Sequence, residues 1–189
     1  MVVRTFLALD IAEATRDALV AAAGELRDSR SKVRWVAPEN LHVTVKFLGD
    51  VAEDDVRGVC DAVAEAARAV EPFDFHVREL RCMPPGGKVR MVWAGVDEPS
   101  GRLAELFGKL EAVLEPLGFP PERRSFSPHV TLGRVKFVGD PRALRAAAGR
   151  YAEEHFGAQR AEHVAVYRSE LTGQGPIYSA MARPPIGGC

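Results

Sequence analysis

Apolar and polar positions follow two rhythms along this chain, and the switches between them divide it into short strands and amphipathic helices. Thr5 to Asp10 is an apolar run of strand length. Ala12 to Arg27 returns Ala18, Leu19, Ala22 and Leu26 at helical spacing. Lys32 to Val36 reads as extended and stops at Pro38, and Leu41 to Leu48 alternates toward a predicted turn at Gly49-Asp50. Asp54 to Val70 is a second helix, with Val56, Val59, Cys60 and Val63 on one stripe. Phe73 to Cys82 and Val89 to Val96 are predicted strands around the loop Pro84-Pro85-Gly86-Gly87. Ser100 to Leu117 is a third helix, closed by Gly118 and the prolines after it. Ser127 to Val138 is predicted as strand and Pro141 to His155 as a fourth helix. Ala161 to Leu171 and Ile177 to Ala182 complete the strands. These elements predict one domain over residues 1–182, and the Pro- and Gly-rich residues 183–189 are expected to form a flexible tail.

One internal echo changes the picture. Residues 42–50 read HVTVKFLGD and residues 129–140 read HVTLGRVKFVGD. Both begin His-Val-Thr, continue through Lys-Phe and end in Gly-Asp before a predicted helix. The echo predicts two related halves, each giving one strand to a shared site. Side chains two apart on a strand share a face. His42 therefore projects with Thr44, and His129 with Thr131, while Val43 and Val130 point into apolar packing. With five His and five Thr in 189 residues, random placement gives about 0.13 His-x-Thr pairs, so two are rare by chance. The bland alternative is two ordinary strands with polar solvent faces.

Two imidazoles and two hydroxyls in one cleft suit a phosphodiester. Imidazole titrates near pH ~6.5, so at neutral pH one ring can take a proton from water while the other gives one to the leaving oxygen. Threonine hydroxyls donate to the non-bridging oxygens, where charge must be stabilised. This arrangement demands no metal and no other cofactor.

Composition narrows the setting. The chain is 47% hydrophobic and 27% charged, with a net charge of −1, which argues against a general nucleic-acid coat. A local basic cleft remains compatible with that balance. Arginine outnumbers lysine 20 to 5, which a codon bias explains as well as phosphate binding does. Cys60, Cys82 and Cys189 form no CxxC pair, so neither a disulfide framework nor a zinc ribbon is indicated, and cytoplasm is the default compartment. No apolar run has membrane-helix length, and the N-terminus does not read as a signal peptide.

The motif residues carry a family resemblance. Arg4 to Leu9, Val33 to Val36, Asn40 to Gly49, Arg90 to Gly95, Phe126 to Arg134, Tyr167 to Leu171 and Gly175 to Tyr178 resemble the two-histidine phosphoesterase superfamily. Within it, the chain is most similar to the RNA 2′,3′-cyclic phosphodiesterases, historically called 2′-5′ RNA ligases. The resemblance implies an α+β fold with two pseudo-symmetric antiparallel-sheet lobes, outer helices and a central cleft. It implies hydrolysis of a 2′,3′-cyclic phosphate at an RNA end to a 2′-phosphate; the expected partner is an RNA with such an end, tRNA fragments among the candidates, and the expected state is a monomer, though the sequence itself fixes neither the RNA nor the oligomeric state. It assigns His42 as acid and His129 as base, though chemical symmetry leaves the reverse open to the residues themselves. Thr44 and Thr131 would hold the phosphate, and Arg134 would clamp it. Other readings are a phosphodiesterase or weak reversible ligase on 2′-5′ linked oligonucleotides or small cyclic phosphates, and a binding module for RNA ends without turnover.

The remaining candidates are weighed residue by residue. Lys46, four residues after His42, is read equally as a cleft residue and as an ordinary solvated lysine. Arg34 and Arg90 either line an RNA groove or are solvated. Among aromatic residues able to stack a base, Phe47 and Trp93 are expected in the core, and Trp35 is open. His76, His155 and His163 lack a threonine two residues on and show no metal-ligand spacing, with His155 expected to end a helix. Cys60 is expected in the core. Gly86-Gly87-Lys88 lacks the rest of a P-loop and is expected to be a flexible loop at the cleft mouth.

Overall fold

The computed structural model describes residues 1–29, 31–173 and 175–188. Among the described residues, nine strands and four α-helices follow one another as β1 (Val2–Asp10), α1 (Glu13–Glu25), β2 (Lys32–Trp35), β3 (His42–Ala52), α2 (Val56–Arg68), β4 (Phe73–Met83), β5 (Met91–Asp97), α3 (Arg102–Leu114), β6 (His129–Phe137), α4 (Pro141–Gly149), β7 (His155–Ala161), β8 (Ala165–Thr172) and β9 (Gly175–Ala182). The strands order as β7-β4-β5-β6-β3-β1-β8-β9, with β2 also pairing β6, and every pairing is antiparallel. The order is symmetric about its centre. β3 and β6 meet there, and each leads outward through three more strands. This is the mixed α and β, two-lobed architecture expected from the sequence.

The lobes join where Val43 of β3 pairs with Val130 of β6. Both valines are completely buried, on the face that the helices cover. Each helix brings an apolar stripe to one continuous core: Leu19 and Ala22 from α1, Val59 and Val63 from α2, Leu106 and Leu110 from α3, Leu144 and Ala148 from α4. The opposite face at the junction carries His42, Thr44, His129 and Thr131, all half-buried.

Both central strands bulge at the same place. Leu7 pairs with Lys46 and Ala8 with Thr44, so Val45 has no cross-strand partner. Val92 pairs with Gly133 and Trp93 with Thr131, which leaves Leu132 unpaired in the same way. An extra residue in one strand shifts every later side chain to the other face. Positions 42–47 and 129–134 consequently share one burial pattern, in which two consecutive residues are buried and the next is exposed.

Several elements differ from expectation for local physical reasons. β3 does not turn at Gly49-Asp50 but continues to Ala52, with Gly49 at φ 77° beside a second register shift. The fourth helix, capped at its start by the Asp140 carboxylate accepting from Arg142 N and Ala143 N, stops at Gly149 rather than His155. The carbonyls of Tyr151 and Glu154 instead accept from Leu80 N and Glu79 N, at a bulge in β4. His155 opens β7, a strand the sequence pattern did not reveal. There α1 crosses so closely that a Cβ on Gly157 would lie 2.0 Å from Thr15 Oγ1. The tail expected to be loose is docked as far as it is described. Ile186 is buried, its N–H donates to Glu162 O, and Gly187 N donates to Ala67 O. Cys189 lies outside the described residues. Among the described residues, no helix is long and apolar enough to cross a membrane.

Candidate active site

His42 and His129 are held in the same manner. His42 Nδ1 donates to the carbonyl of Asn40, two residues back, at 2.7 Å. His129 Nδ1 donates to the carbonyl of Ser127, also two residues back, at 2.8 Å. That bond occupies Nδ1 of each ring and leaves Nε2 as the nitrogen outside it. Nε2 of His42 is 2.9 Å from Thr44 Oγ1. Each ring also lies against an aromatic side chain, Phe6 at 4.9 Å from His42 and Trp93 at 3.8 Å from His129. Burial consequently holds both imidazoles below the ordinary imidazole pKa, against the pull of the backbone carbonyls. His129 lies near enough that its charge further lowers His42.

The two sites also differ in their charged neighbours. Asp10 is the cross-strand partner of His42, and its carboxylate favours the charged imidazole. Asp10 is itself held by Tyr167, whose hydroxyl donates to Oδ1 at 2.5 Å, and by an ion pair with Arg183. Burial, with the bond to Asp10, pushes the Tyr167 phenol up to about 12. Gln159 Nε2, from β7 of the other lobe, donates to the Asp10 carbonyl. Asp10 and Arg183 are distant in sequence and lie in none of the segments that carry the resemblance. Tyr167, Asn40 and Tyr178 lie in such segments, but their spacing gave them no role. Asn40 Nδ2 donates to Pro176 O, and Tyr178 packs edge-on to His42 at 5.5 Å.

A cleft of about 980 Å³ opens beside the junction, lined by His42, Thr44, Thr131 and Arg134 among others. His129 shares the β6 face with Thr131 but is not itself among the residues that line the cleft. Arg134 reaches this face because of the bulge at Leu132, and it stands directly across from Arg34 of β2. Like charges facing each other across strands are unfavourable unless an anion intervenes. Arg4 and Lys136 also line the cleft, against a single acid, Glu39, among the described residues. None of the four basic residues pairs with a carboxylate among the described residues. The site is therefore built for an anion.

The bulge at Val45 corrects two expectations. Lys46 turns away from the cleft and is buried, bonded to Glu111 and to Pro120 O. Phe47, expected in the core, is 62% exposed and lines the cleft. Trp93, also expected in the core, is half-buried with its ring on His129. Trp35 is packed on the core at one side and lines the cleft at the other. Arg90 is exposed and outside the cleft lining, whereas Arg34 is part of it. Gly86-Gly87-Lys88 contributes nothing to the lining, and Arg145 of α4 ties its loop down through Pro84 O and Gly87 O. Cys60 packs partly buried against the core. His76, His155 and His163 join no cluster able to hold a metal among the described residues.

The family described as LigT like Phosphoesterase matches the chain twice, at residues 9–93 and 95–178. The chain belongs to this family. Each match contains one His-x-Thr strand, in agreement with the two lobes. The chain is 38% identical over 181 residues, 96% of its length and 97% of the relative's, to the RNA 2′,3′-cyclic phosphodiesterase of Methanothermobacter thermautotrophicus. It is 32% identical over 178 residues, 94% of its length and 98% of the relative's, to the enzyme of the same name from Methanocaldococcus jannaschii. A solved structure of Thermus thermophilus TT0787 superposes with a TM-score of 0.82 at 29% identity, covering 98% of each chain. Escherichia coli LigT in its apo form shares the fold, with a TM-score of 0.74 at 21% identity over 99% of each chain.

Proposed function

We propose that this phosphoesterase hydrolyses RNA 2′,3′-cyclic phosphate ends to 2′-phosphates without a metal ion, with His42 as general acid and His129 as general base. Water attacks phosphorus and gives a proton to Nε2 of His129. The P–O3′ bond breaks, and Nε2 of His42 delivers a proton to the departing O3′. The product carries a 2′-phosphate and a 3′-hydroxyl, and solvent resets both rings. Thr44 and Thr131 donate to the non-bridging oxygens, and Arg134 offers a fork to the charge on the phosphoryl group.

The observation that carries this reading is the junction itself. Two His-x-Thr strands pair side by side in one sheet, with their His and Thr on the same face, beside a cleft whose arginines have no carboxylate partner among the described residues. The names of the relatives supply the substrate class. The assignment of acid and base is supported by Asp10, since the imidazole with a neighbouring carboxylate is the better proton carrier. The test is incubation with a short oligoribonucleotide ending in a 2′,3′-cyclic phosphate, in EDTA, with products separated against 2′- and 3′-phosphate standards. A 2′-phosphate product is expected. A 3′-phosphate, or activity lost in EDTA and restored by a metal ion, would overturn the scheme.

A further inference from the structure

We infer that a second groove beside the cleft binds the RNA backbone just 5′ of the cyclic end, with Arg123 and Arg124 taking its phosphate. This rests on reading the protein as an enzyme of RNA ends. The groove holds about 450 Å³ and is lined by Phe47, Phe119, Pro120 and the segment from Glu122 to Arg124, over Lys46. Phe47 lines both the groove and the cleft, so a chain leaving the cleft on this side passes directly over its ring.

Three features suit a nucleotide. Phe47 is a large exposed aromatic, and an exposed ring beside cations is a stacking platform for a base. Arg123 and Arg124 are exposed, adjacent, and unpaired with any carboxylate among the described residues. Two neighbouring guanidiniums repel each other until an anion bridges them. The Lys46 charge is already met by Glu111, so the positive character of the groove comes from these two arginines, offset in part by Glu122.

The wall that presents the arginines is also preorganised. Glu111 Oε2 accepts from Glu122 N at 2.7 Å, and Lys46 Nζ donates to Pro120 O at 2.9 Å. The buried pair fixes the backbone on either side of Pro121, so little ordering remains to be done when RNA binds. A mononucleoside cyclic phosphate fills only the cleft. An oligoribonucleotide spans both.

The experiment compares kcat/KM for uridine 2′,3′-cyclic phosphate with that for a short oligoribonucleotide ending in the same nucleotide, for the wild type and for Arg123→Ala/Arg124→Ala. The oligoribonucleotide should lose about tenfold at low salt, and its dependence of log kcat/KM on log salt should become shallower by about 0.7, the share of the one phosphate the two arginines hold. The mononucleotide should stay within about twofold, and Arg123→Lys/Arg124→Lys should restore the salt slope. Equal losses on both substrates, or no loss on the oligoribonucleotide, would overturn the groove. If the wild type turns over neither substrate, the proposed reaction fails while the groove remains testable. Anisotropy of a labelled oligoribonucleotide with a 3′-phosphate must then show weaker binding by the alanine variant, and unchanged affinity would refute the inference.

Discussion

Replacing Lys46 by Met separates two pictures of this strand. If β3 alternated regularly, Lys46 would face the cleft and its loss would reduce activity at little cost in stability. In the structure its side chain is 2% exposed and that of Glu111 11%. Removing one partner of a buried ion pair strands the other charge and costs about 3–5 kcal/mol. The Pro120 carbonyl also loses its donor, so the upper part of that range is expected. For a chain of this size each kcal/mol moves Tm by about 2–4 °C, which places the drop at about 8–20 °C for about 4–5 kcal/mol. With a urea m-value of about 2 kcal/mol/M, the unfolding midpoint falls by about 2 M. Lys46→Met/Glu111→Leu should recover part of the loss, since no charge is then stranded. It should not recover all, because Glu122 N and Pro120 O still lack partners. The assay is urea unfolding at 25 °C for the two single variants and the double, with kcat/KM on a mononucleoside cyclic phosphate measured well below the midpoint. A cost below about 1 kcal/mol together with a hundredfold loss of activity would refute the inward orientation of Lys46.

The site makes further predictions. His42→Ala and His129→Ala should each lower kcat by about 10²–10⁴ with an unchanged circular dichroism spectrum, and a loss below tenfold would remove that histidine from the chemistry. Both limbs of the kcat/KM profile should lie on the acid side of the ordinary imidazole range, because burial lowers both rings, and Asp10→Asn should move the His42 limb further down, as read directly by NMR titration of its Cε1 proton. An Asp10→Asn titration unchanged from wild type would exclude that carboxylate from setting the ring's charge. The same depressed pKa values make stability depend on pH. Each imidazole binds its proton less readily folded than unfolded, so stability is full above the unfolded value near ~6.5 and declines as pH falls below it; His42→Gln should flatten that decline in urea titrations. Gly157→Ala should destabilise the fold and leave the kinetics of the surviving folded enzyme within a few fold, because the new Cβ meets Thr15 at the crossing of α1 and β7 and neither residue lines the cleft.

What could be read from the chain was whatever depends on neighbours in sequence. Period-2 alternation is a property of a few consecutive residues, so the pairing of His42 with Thr44 and of His129 with Thr131 on one face was legible, as was the repeat that predicts two lobes. The helical stripes were legible for the same reason. β7 was not, because His155 to Ala161 carries weak alternation and is a strand only through its pairing with β4.

Beyond those local patterns, tertiary structure decided the rest. A bulge is a mismatch between two strands and has no signature in either alone. The bulges at Val45 and Leu132 turn Lys46 inward, expose Phe47 and deliver Arg134 to the cleft. Asp10, Tyr167 and Arg183 span 173 residues and meet only when β1, β8 and the docked tail are assembled. Sequence determined which groups could do the chemistry, because side-chain type and strand period are local. Register and packing determined which of them face the cleft and with what charged neighbours, because those depend on partners that only the folded chain brings together.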